Sequence, residues 1–171
     1  MRHARGWLTR ALDVATCNET SVWIGMTKFA TLEDAVSIAA LAHRGQKDKA
    51  GAPYLLHPLR MMLRMKTEAA MMAAVLHDVV EDTDWTLEQL REQGFSNEVL
   101  DAVECLTHRE GESYEEFIER VRKNLIAQEV KVADLEDNMN IQRISRMSQK
   151  DLARLEKYHR AWCVLTKAGN I

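Results

Sequence analysis

The strongest chemical signal in the chain is a cluster of four polar residues, His77, Asp78, Glu81 and Asp82. If this segment is helical, their spacing places all four on one face. Residues 71–76 read Met-Met-Ala-Ala-Val-Leu, so the helix is otherwise apolar. Three carboxylates in such a setting repel one another and lose water, and a bound cation removes both penalties. The segment therefore predicts a metal site. The alternative is a solvent-exposed acidic helix end, which the apolar residues upstream disfavour.

Two further residues are candidate ligands for the same metal. His57 lies at the predicted start of a helix, although such a histidine taken alone is more typical of a cap or a core position. Asp134 lies in the apolar run 130–135, where a lone carboxylate is costly unless it is paired or bound to metal. With His77 and Asp78 these residues offer two nitrogens and two oxygens. This mixed set suits Mn, Fe, Zn or another first-row divalent ion and leaves positions for water.

The elements that position these groups are predicted to be helices. The 171 residues include only two prolines and seven glycines, which favours long helices. No segment alternates apolar and polar residues convincingly over the length of a strand. The sequence predicts an all-α, single-domain bundle of about eight helices, one reaching about Asp82 and another spanning about Ala127 to Arg143. Helix starts are predicted from capping residues at Thr31, Thr67, Thr86, Ser96, Ser113 and Ser148.

Residues 1–25 differ from the rest of the chain because their periodicity is poor and no clear helix start appears. Met26 then opens a stretch that leads directly into a strong helical pattern. One interpretation is a short N-terminal extension followed by a domain over 26–171. The other is that Met26 is the true initiator and that the first 25 residues result from a misassigned start. Mass spectrometry of the native protein distinguishes the two.

Composition limits the classes of partner. The formal net charge is −3 and the pI is near 6.1, which argues against nonspecific nucleic-acid binding. A small anionic substrate remains compatible, because a bound metal reverses the local field. No apolar run approaches the ~20 residues that cross a bilayer, and the N-terminus lacks the apolar segment of a signal peptide. Three scattered cysteines, Cys17, Cys105 and Cys163, are typical of free thiols. We therefore expect a cytoplasmic protein that binds neither membrane nor nucleic acid, while the oligomeric state stays open.

Four sequence blocks occur in a fixed order along the chain. They are AHRGQ at 42–46, KAGAPYLLHP at 49–58, HDVVEDT at 77–83 and KVADLEDN at 131–138. A bare His-Asp pair is a weak motif, but four blocks in register are specific. Together they resemble the hydrolase domain of the RelA/SpoT proteins, a branch of the HD superfamily, and are similar to the small stand-alone animal relatives of that domain. The resemblance covers roughly residues 30–143.

The resemblance implies an HD-type helical fold and a Mn²⁺-dependent enzyme. The implied reaction is removal of the 3′-pyrophosphate from guanosine tetra- or pentaphosphate, releasing pyrophosphate and a nucleoside 5′-phosphate. Position by position, it implies the following roles: metal ligands His57, His77, Asp78 and Asp134; an acidic pair, Glu81 and Asp82, that positions and activates the attacking water; residues near the substrate, Lys49 and Asn138; and structural support from His43.

One departure from the family pattern concerns the base of the substrate. Larger family members carry an arginine, associated with guanine, at the position of Asp48. A carboxylate cannot replace a guanidinium stacked on a base, and it repels phosphate. Arg44 and Arg143 are possible replacements, but both are more typical of exposed helix charges. Two alternatives therefore stay open: an HD phosphohydrolase that acts on another nucleotide or phosphoester, and a non-catalytic metal- or nucleotide-binding module.

Overall fold

The structure, a computed structural model, describes residues 29–143 and 147–167, and within them it is helical with no strand. An isolated bridge joins Lys47 to Pro53. The described helices are α1 (Leu32–Ala42), α2 (Leu56–Met62), α3 (Glu68–Leu76), α4 (Val79–Asp82), α5 (Leu87–Glu92), α6 (Asn97–Leu106), α7 (Tyr114–Val121), α8 (Leu125–Asn138) and α9 (Gln149–Lys167), with a 3₁₀ turn at Ile141–Arg143. The all-α prediction is confirmed, and since the sequence predicts α3 and α4 as one helix, the count agrees with about eight.

Most helices begin where the capping residues predict. The side chains of Thr31, Thr86 and Ser113 each accept a hydrogen bond from the backbone N–H of the third helical residue. The side chain of that third residue accepts in turn from the backbone N–H of the capping residue. Thr67 and Ser96 also accept from the backbone of the third residue of α3 and α6, but there the second bond, from the backbone of the capping residue, is not formed. These bonds satisfy backbone groups that have no partner inside the helix.

The predicted continuous helix from Thr67 to Asp82 is wrong at one point, because the helix breaks between α3 and α4. His77 and Asp78 form a turn between the two segments. In an unbroken helix, the carbonyl of Ala74 would accept from the backbone N–H of Asp78. Instead, Nδ1 of His77 lies 2.8 Å from that carbonyl oxygen. The break thus coincides with a hydrogen bond made by a candidate ligand.

The second predicted long helix is also shorter than expected. α8 ends at Asn138, and residues 141–143 form the separate 3₁₀ turn instead of continuing the helix to Arg143. Both interpretations of residues 1–25 concern a part of the chain outside the described residues.

The hydrophobic core is built around α3, which packs against α1, α2, α6 and α8. Val75 and Leu76 of α3 are fully or almost fully buried, as are Met61 of α2 and Val130 of α8. α9 closes the bundle by packing against α7 and α8. Because α3 contacts both α2 and α8, the core brings together the three segments that carry the candidate ligands. Among the described residues, no helix combines the length and apolarity needed to cross a bilayer.

Candidate metal centre

Three candidate ligands converge beside the centre of the bundle. His57 comes from α2, and His77 and Asp78 come from the turn between α3 and α4. One ligand atom from each residue lies within 4.8 Å of the other two. Nε2 of His77 is 2.8 Å from Oδ2 of Asp78, and Nε2 of His57 is 4.0 Å from the same oxygen. The structure thus brings together three of the residues that the sequence singles out, and their role as ligands stays a prediction.

The fourth candidate, Asp134, approaches the group from α8. Its Oδ1 lies 3.2 Å from Nε2 of His57. Its other oxygen, Oδ2, lies 2.8 Å from Nζ of Lys131, one helical turn earlier on the same helix. Asn138 donates an amide hydrogen bond to Oδ1. Asp134 is thus buried but paired, which is one of the two alternatives that the sequence left open, so its burial alone does not require a metal.

The positive and negative side chains of the cluster stabilise one another's charged forms. Burial disfavours the ionised form of Asp134, but Lys131 and the two histidines outweigh it and hold the pKa of Asp134 well below the ordinary value. Burial also lowers the pKa of His57, whereas hydrogen bonds to Asp134 and Asp137 raise it, with a net value of about 9. Without a metal His57 is therefore protonated at neutral pH, and a metal that binds there displaces that proton.

The donor set fits a divalent cation because of His77. Its Nδ1 is committed to the carbonyl of Ala74, so Nε2 is the atom left for a ligand bond. That buried Nε2 lies 2.8 Å from Oδ2 of Asp78 but outside the angles of a hydrogen bond, so it has no hydrogen-bond partner within the described part of the chain. A buried polar atom without a hydrogen bond is unfavourable. Two imidazole nitrogens and two carboxylates facing one another are the donors that Mn, Fe or Zn accepts.

Tyr54 is a supporting residue that sequence reasoning missed. Its hydroxyl donates a short hydrogen bond to Oδ2 of Asp78, and its ring lies against His43 and His57 at centroid distances of 4.9 and 5.7 Å. Burial and the charge of Asp78 raise the pKa of Tyr54, so the hydroxyl stays a donor. The signal that could have identified Tyr54 is its position in the second sequence block, three residues before His57. His43 is buried, and its Nδ1 lies 2.8 Å from Oε1 of Gln46, contacts that suit structural support.

The two acidic residues of α4, Glu81 and Asp82, lie in different environments. Oε2 of Glu81 accepts a hydrogen bond of 3.0 Å from the backbone N–H of His108, in the loop between α6 and α7. The carboxyl of Asp82, which is exposed, is near enough to the cluster to interact electrostatically with Asp78 and His77. Partial desolvation and the nearby carboxylates of Asp78 and Glu81 raise the pKa of Asp82. Asp82 thus has the environment of a proton acceptor, whereas Glu81 is tied to a loop.

Lys49 lies beside cationic residues of α9. Partial burial and then the charge of Arg154 lower the pKa of Lys49, with Lys157 acting in the same direction and Asp151 opposing them. Nζ of Lys157 sits 4.3 Å from the ring centroid of Tyr114 and 5.5 Å from that of Tyr158. The loop and α9 therefore bring several charged side chains near one another, with Arg154 paired to Asp151 at 2.7 Å, and the sequence prediction included only Lys49 of this group.

Asp48 organises the loop that carries Lys49. Its Oδ1 accepts hydrogen bonds of 2.9 Å from the backbone N–H groups of both Ala50 and Ala52. These bonds turn the carboxylate toward its own loop. Arg44, one possible replacement for the missing arginine, is exposed. The side chain of Arg143 lies outside the described residues.

The chain belongs to the HD domain family, because the model of that family matches residues 35–161. Within the family it is similar to a GTP pyrophosphokinase of Streptomyces coelicolor, with 36% identity over 137 residues. It is also 37% identical over 117 residues to a guanosine-3′,5′-bis(diphosphate) 3′-pyrophosphohydrolase of Haemophilus influenzae. These matches cover 72% and 60% of the chain but only 16% and 17% of the relatives, so the chain resembles one part of much longer proteins.

A solved structure agrees with the same family. It is described as a metazoan ortholog of SpoT that hydrolyses ppGpp and plays a role in starvation responses. The match has a TM-score of 0.65 and 25% sequence identity, and it covers 82% of this chain and 88% of that one. The HD-type helical fold predicted from the sequence is confirmed.

Proposed function

We propose that the chain is a metal-dependent pyrophosphohydrolase that removes the 3′-pyrophosphate of guanosine tetra- or pentaphosphate. The observation that carries the proposal is the convergence of His57, His77 and Asp78, with Asp134 3.2 Å from His57, beside an acid whose pKa is raised. Relatives with that activity in their names, and the ppGpp-hydrolysing structural neighbour, support the choice of substrate.

The proposed ligands are His57, His77, Asp78 and Asp134, with Mn²⁺ as the proposed ion. When bound, a divalent cation lowers the pKa of water and polarises a phosphoryl oxygen. Asp82 is the proposed general base, since its pKa is raised toward the range in which a carboxylate accepts a proton efficiently. Glu81, held by the backbone of His108, positions the water beside it.

The substrate is proposed to lie between the metal centre and α9. Lys49, with Arg154 and Lys157 nearby, supplies positive charge for the diphosphate that leaves. Asn138 is the proposed contact deeper in the site, although its amide is already bonded to Asp134. A nucleotide of this kind agrees with the predictions of a cytoplasmic location and of no nucleic-acid partner, both of which stay predictions.

A second candidate is an HD phosphohydrolase that acts on a different nucleotide or phosphoester. Asp48 favours it, because a carboxylate bonded to its own loop presents no guanidinium for stacking on a base. The third candidate is a non-catalytic binding module. It is disfavoured by the presence of both the ligand set and the acids on α4.

One experiment separates the three candidates. Purified protein is incubated with guanosine tetraphosphate, with its adenosine counterpart and with ordinary nucleoside triphosphates, each with Mn²⁺ or with a chelator. We expect Mn²⁺-dependent release of pyrophosphate from the guanosine substrate. Faster turnover of another substrate supports the second candidate, and metal binding without any turnover supports the third.

A further inference from the structure

An extended chain of charged groups stands behind His57, on the side away from the candidate metal. Oδ2 of Asp137, on α8, lies 2.6 Å from Nδ1 of His57. Arg60, one turn after His57 on α2, donates to both oxygens of Asp137: Nε to Oδ1 at 2.7 Å and a terminal nitrogen to Oδ2 at 2.8 Å. The sequence analysis singled out neither Asp137 nor Arg60.

The bidentate contact decides which atom carries the proton. A guanidinium has only donors, so both oxygens of Asp137 act as acceptors and the carboxylate is ionised. Nδ1 of His57 must then be the donor in the third bond. A metal that binds at His57 displaces the second ring proton, and in the neutral imidazole that remains Nε2 carries the free lone pair. That atom is the one 3.2 Å from Asp134 and 4.0 Å from Asp78, at the candidate centre.

The two imidazoles of the centre are therefore supported in different ways. His77 donates from Nδ1 to a neutral backbone carbonyl, whereas His57 donates to an ionised carboxylate. A carboxylate partner raises the basicity of the opposite ring nitrogen more than a carbonyl does and fixes the ring plane. The side chain of Asp137 is 10% exposed, so water competes little for this bond.

We infer that Asp137, held in place by Arg60, is a positioning residue that sets the tautomer, orientation and donor strength of His57 toward the metal. The inference rests on the proposed metal centre. It assigns to this chain a carboxylate–histidine–metal arrangement extended by an arginine. Asp137 touches neither substrate nor metal in this role, and it acts only through His57.

The test compares Asp137→Asn with the wild type by two measurements that need no turnover. The first is Mn²⁺ affinity, from the electron paramagnetic resonance signal of free Mn²⁺. The second is the Nδ1–H proton resonance of His57, which a short bond to a carboxylate moves downfield and protects from exchange. We expect affinity to fall roughly 10- to 100-fold, the range typical of such supporting partners. The resonance should move upfield and exchange faster.

Arg64→Gln is the matched control. Arg64 lies just beyond the C-terminal end of α2 and pairs with Glu136 of α8, a contact that does not involve His57. The control should lose a comparable helix–helix ion pair while Mn²⁺ affinity and the His57 resonance stay unchanged. Should Asp137→Asn fail to fold, Arg60→Gln, which removes only the bidentate donor, is expected to weaken Mn²⁺ binding to a smaller extent.

The possible outcomes separate this inference from the function proposed above. If the wild type binds no Mn²⁺, the metal centre is wrong, while the His57 resonance still reports on its bond to Asp137. If the wild type binds Mn²⁺ and Asp137→Asn binds it equally well, the positioning role is wrong and the metal centre stands. Equal losses in Asp137→Asn and Arg64→Gln also overturn the role, since the effect is then only loss of helix packing.

Discussion

At the scale of single residues, Asp82 and Glu81 are adjacent carboxylates with different partners. The pKa of Asp82 is raised by desolvation and by neighbouring carboxylates, while an oxygen of Glu81 is bonded to the backbone of His108. We expect Asp82→Asn to lower kcat by about 10²–10⁴, the usual contribution of a general base. Mn²⁺ affinity should stay unchanged. Steady-state kinetics with a metal titration measure both quantities.

Glu81→Gln is the comparison variant for this prediction. The glutamine side chain keeps an oxygen that can accept from the N–H of His108, so the loop contact survives while the charge is lost. If Asp82 is the base, kcat falls less in Glu81→Gln than in Asp82→Asn. The opposite order reverses the assignment of the two residues, and full turnover in both variants removes the acidic pair from the mechanism.

His57 makes a pH-dependent contribution to stability. Its pKa is about 9 in the folded, metal-free protein, above the value of about 6.5 that an unfolded chain gives. Protonated His57 therefore stabilises the fold fully below pH 6.5, and this stabilisation is lost as the pH rises through 9. Denaturant titrations in the presence of a chelator should show a decrease on the order of 2–3 kcal/mol between about pH 6.5 and 9.5.

The same measurement on His57→Gln isolates this contribution. The decrease between the two pH values should be smaller in the variant by most of that amount. Equal decreases in variant and wild type would show that other groups cause the effect. In the wild type, the affinity for Mn²⁺ should rise with pH while the stability of the metal-free protein falls, because the ion must displace the proton on His57.

At the scale of elements, the loop between α1 and α2 carries Lys49 and leads directly into His57. Gly51 in this loop has φ +83°, and a Cβ built there meets nothing within 4 Å. Gly51→Ala therefore meets no clash but places an L side chain in the left-handed region, at a cost of about 1 kcal/mol. We expect this loss in denaturant unfolding, together with a higher KM because the loop shifts Lys49.

Gly111→Ala provides the matched control for the loop. Gly111 has φ +77° with equally open surroundings, but it lies in the loop between α6 and α7. It should lose similar stability while KM stays near the wild-type value, because this loop contacts Glu81 through His108 and any effect of its shift falls on kcat. A KM that rises equally in both variants, or in neither, contradicts the proposed link between the first loop and the substrate.

What sequence predicts about these elements depends on how local each signal is. A Thr or Ser cap and its partner three residues later are self-contained, so the starts of α1, α3, α5, α6 and α7 are predictable. The break between α3 and α4 is not, because no capping pattern marks it, and the bond there from the His77 ring to the carbonyl of Ala74 is visible only in the folded chain. The ligand candidates are recognisable by residue type and by family resemblance. The Asp137 contact joins residues 80 apart in the chain, which no local pattern encodes.

At the scale of the whole molecule, the centre connects distant parts of one core. Its proposed ligands come from α2, from the turn after α3, and from α8, and α3 packs against both other helices. Lys131 and the protonated His57 balance much of the acidic charge before any metal binds. We therefore expect the metal-free protein to fold, in contrast to small domains whose structure depends on the ion.

Metal binding should nevertheless raise stability, because the unfolded chain cannot bring α2, α3 and α8 together. An ion at about 100 times its Kd adds about 2.7 kcal/mol to the free energy of unfolding. For a protein of this size, that corresponds to a rise in Tm of roughly 5–10 °C. Asp78→Ala should abolish the rise, whereas Asp84→Ala, an exposed acid nearby on the chain, should retain it. Thermal melts with Mn²⁺ and with a chelator test this prediction. An equal rise in Asp78→Ala would place the ion elsewhere on the surface and remove the structural basis for a metal at His57 and His77.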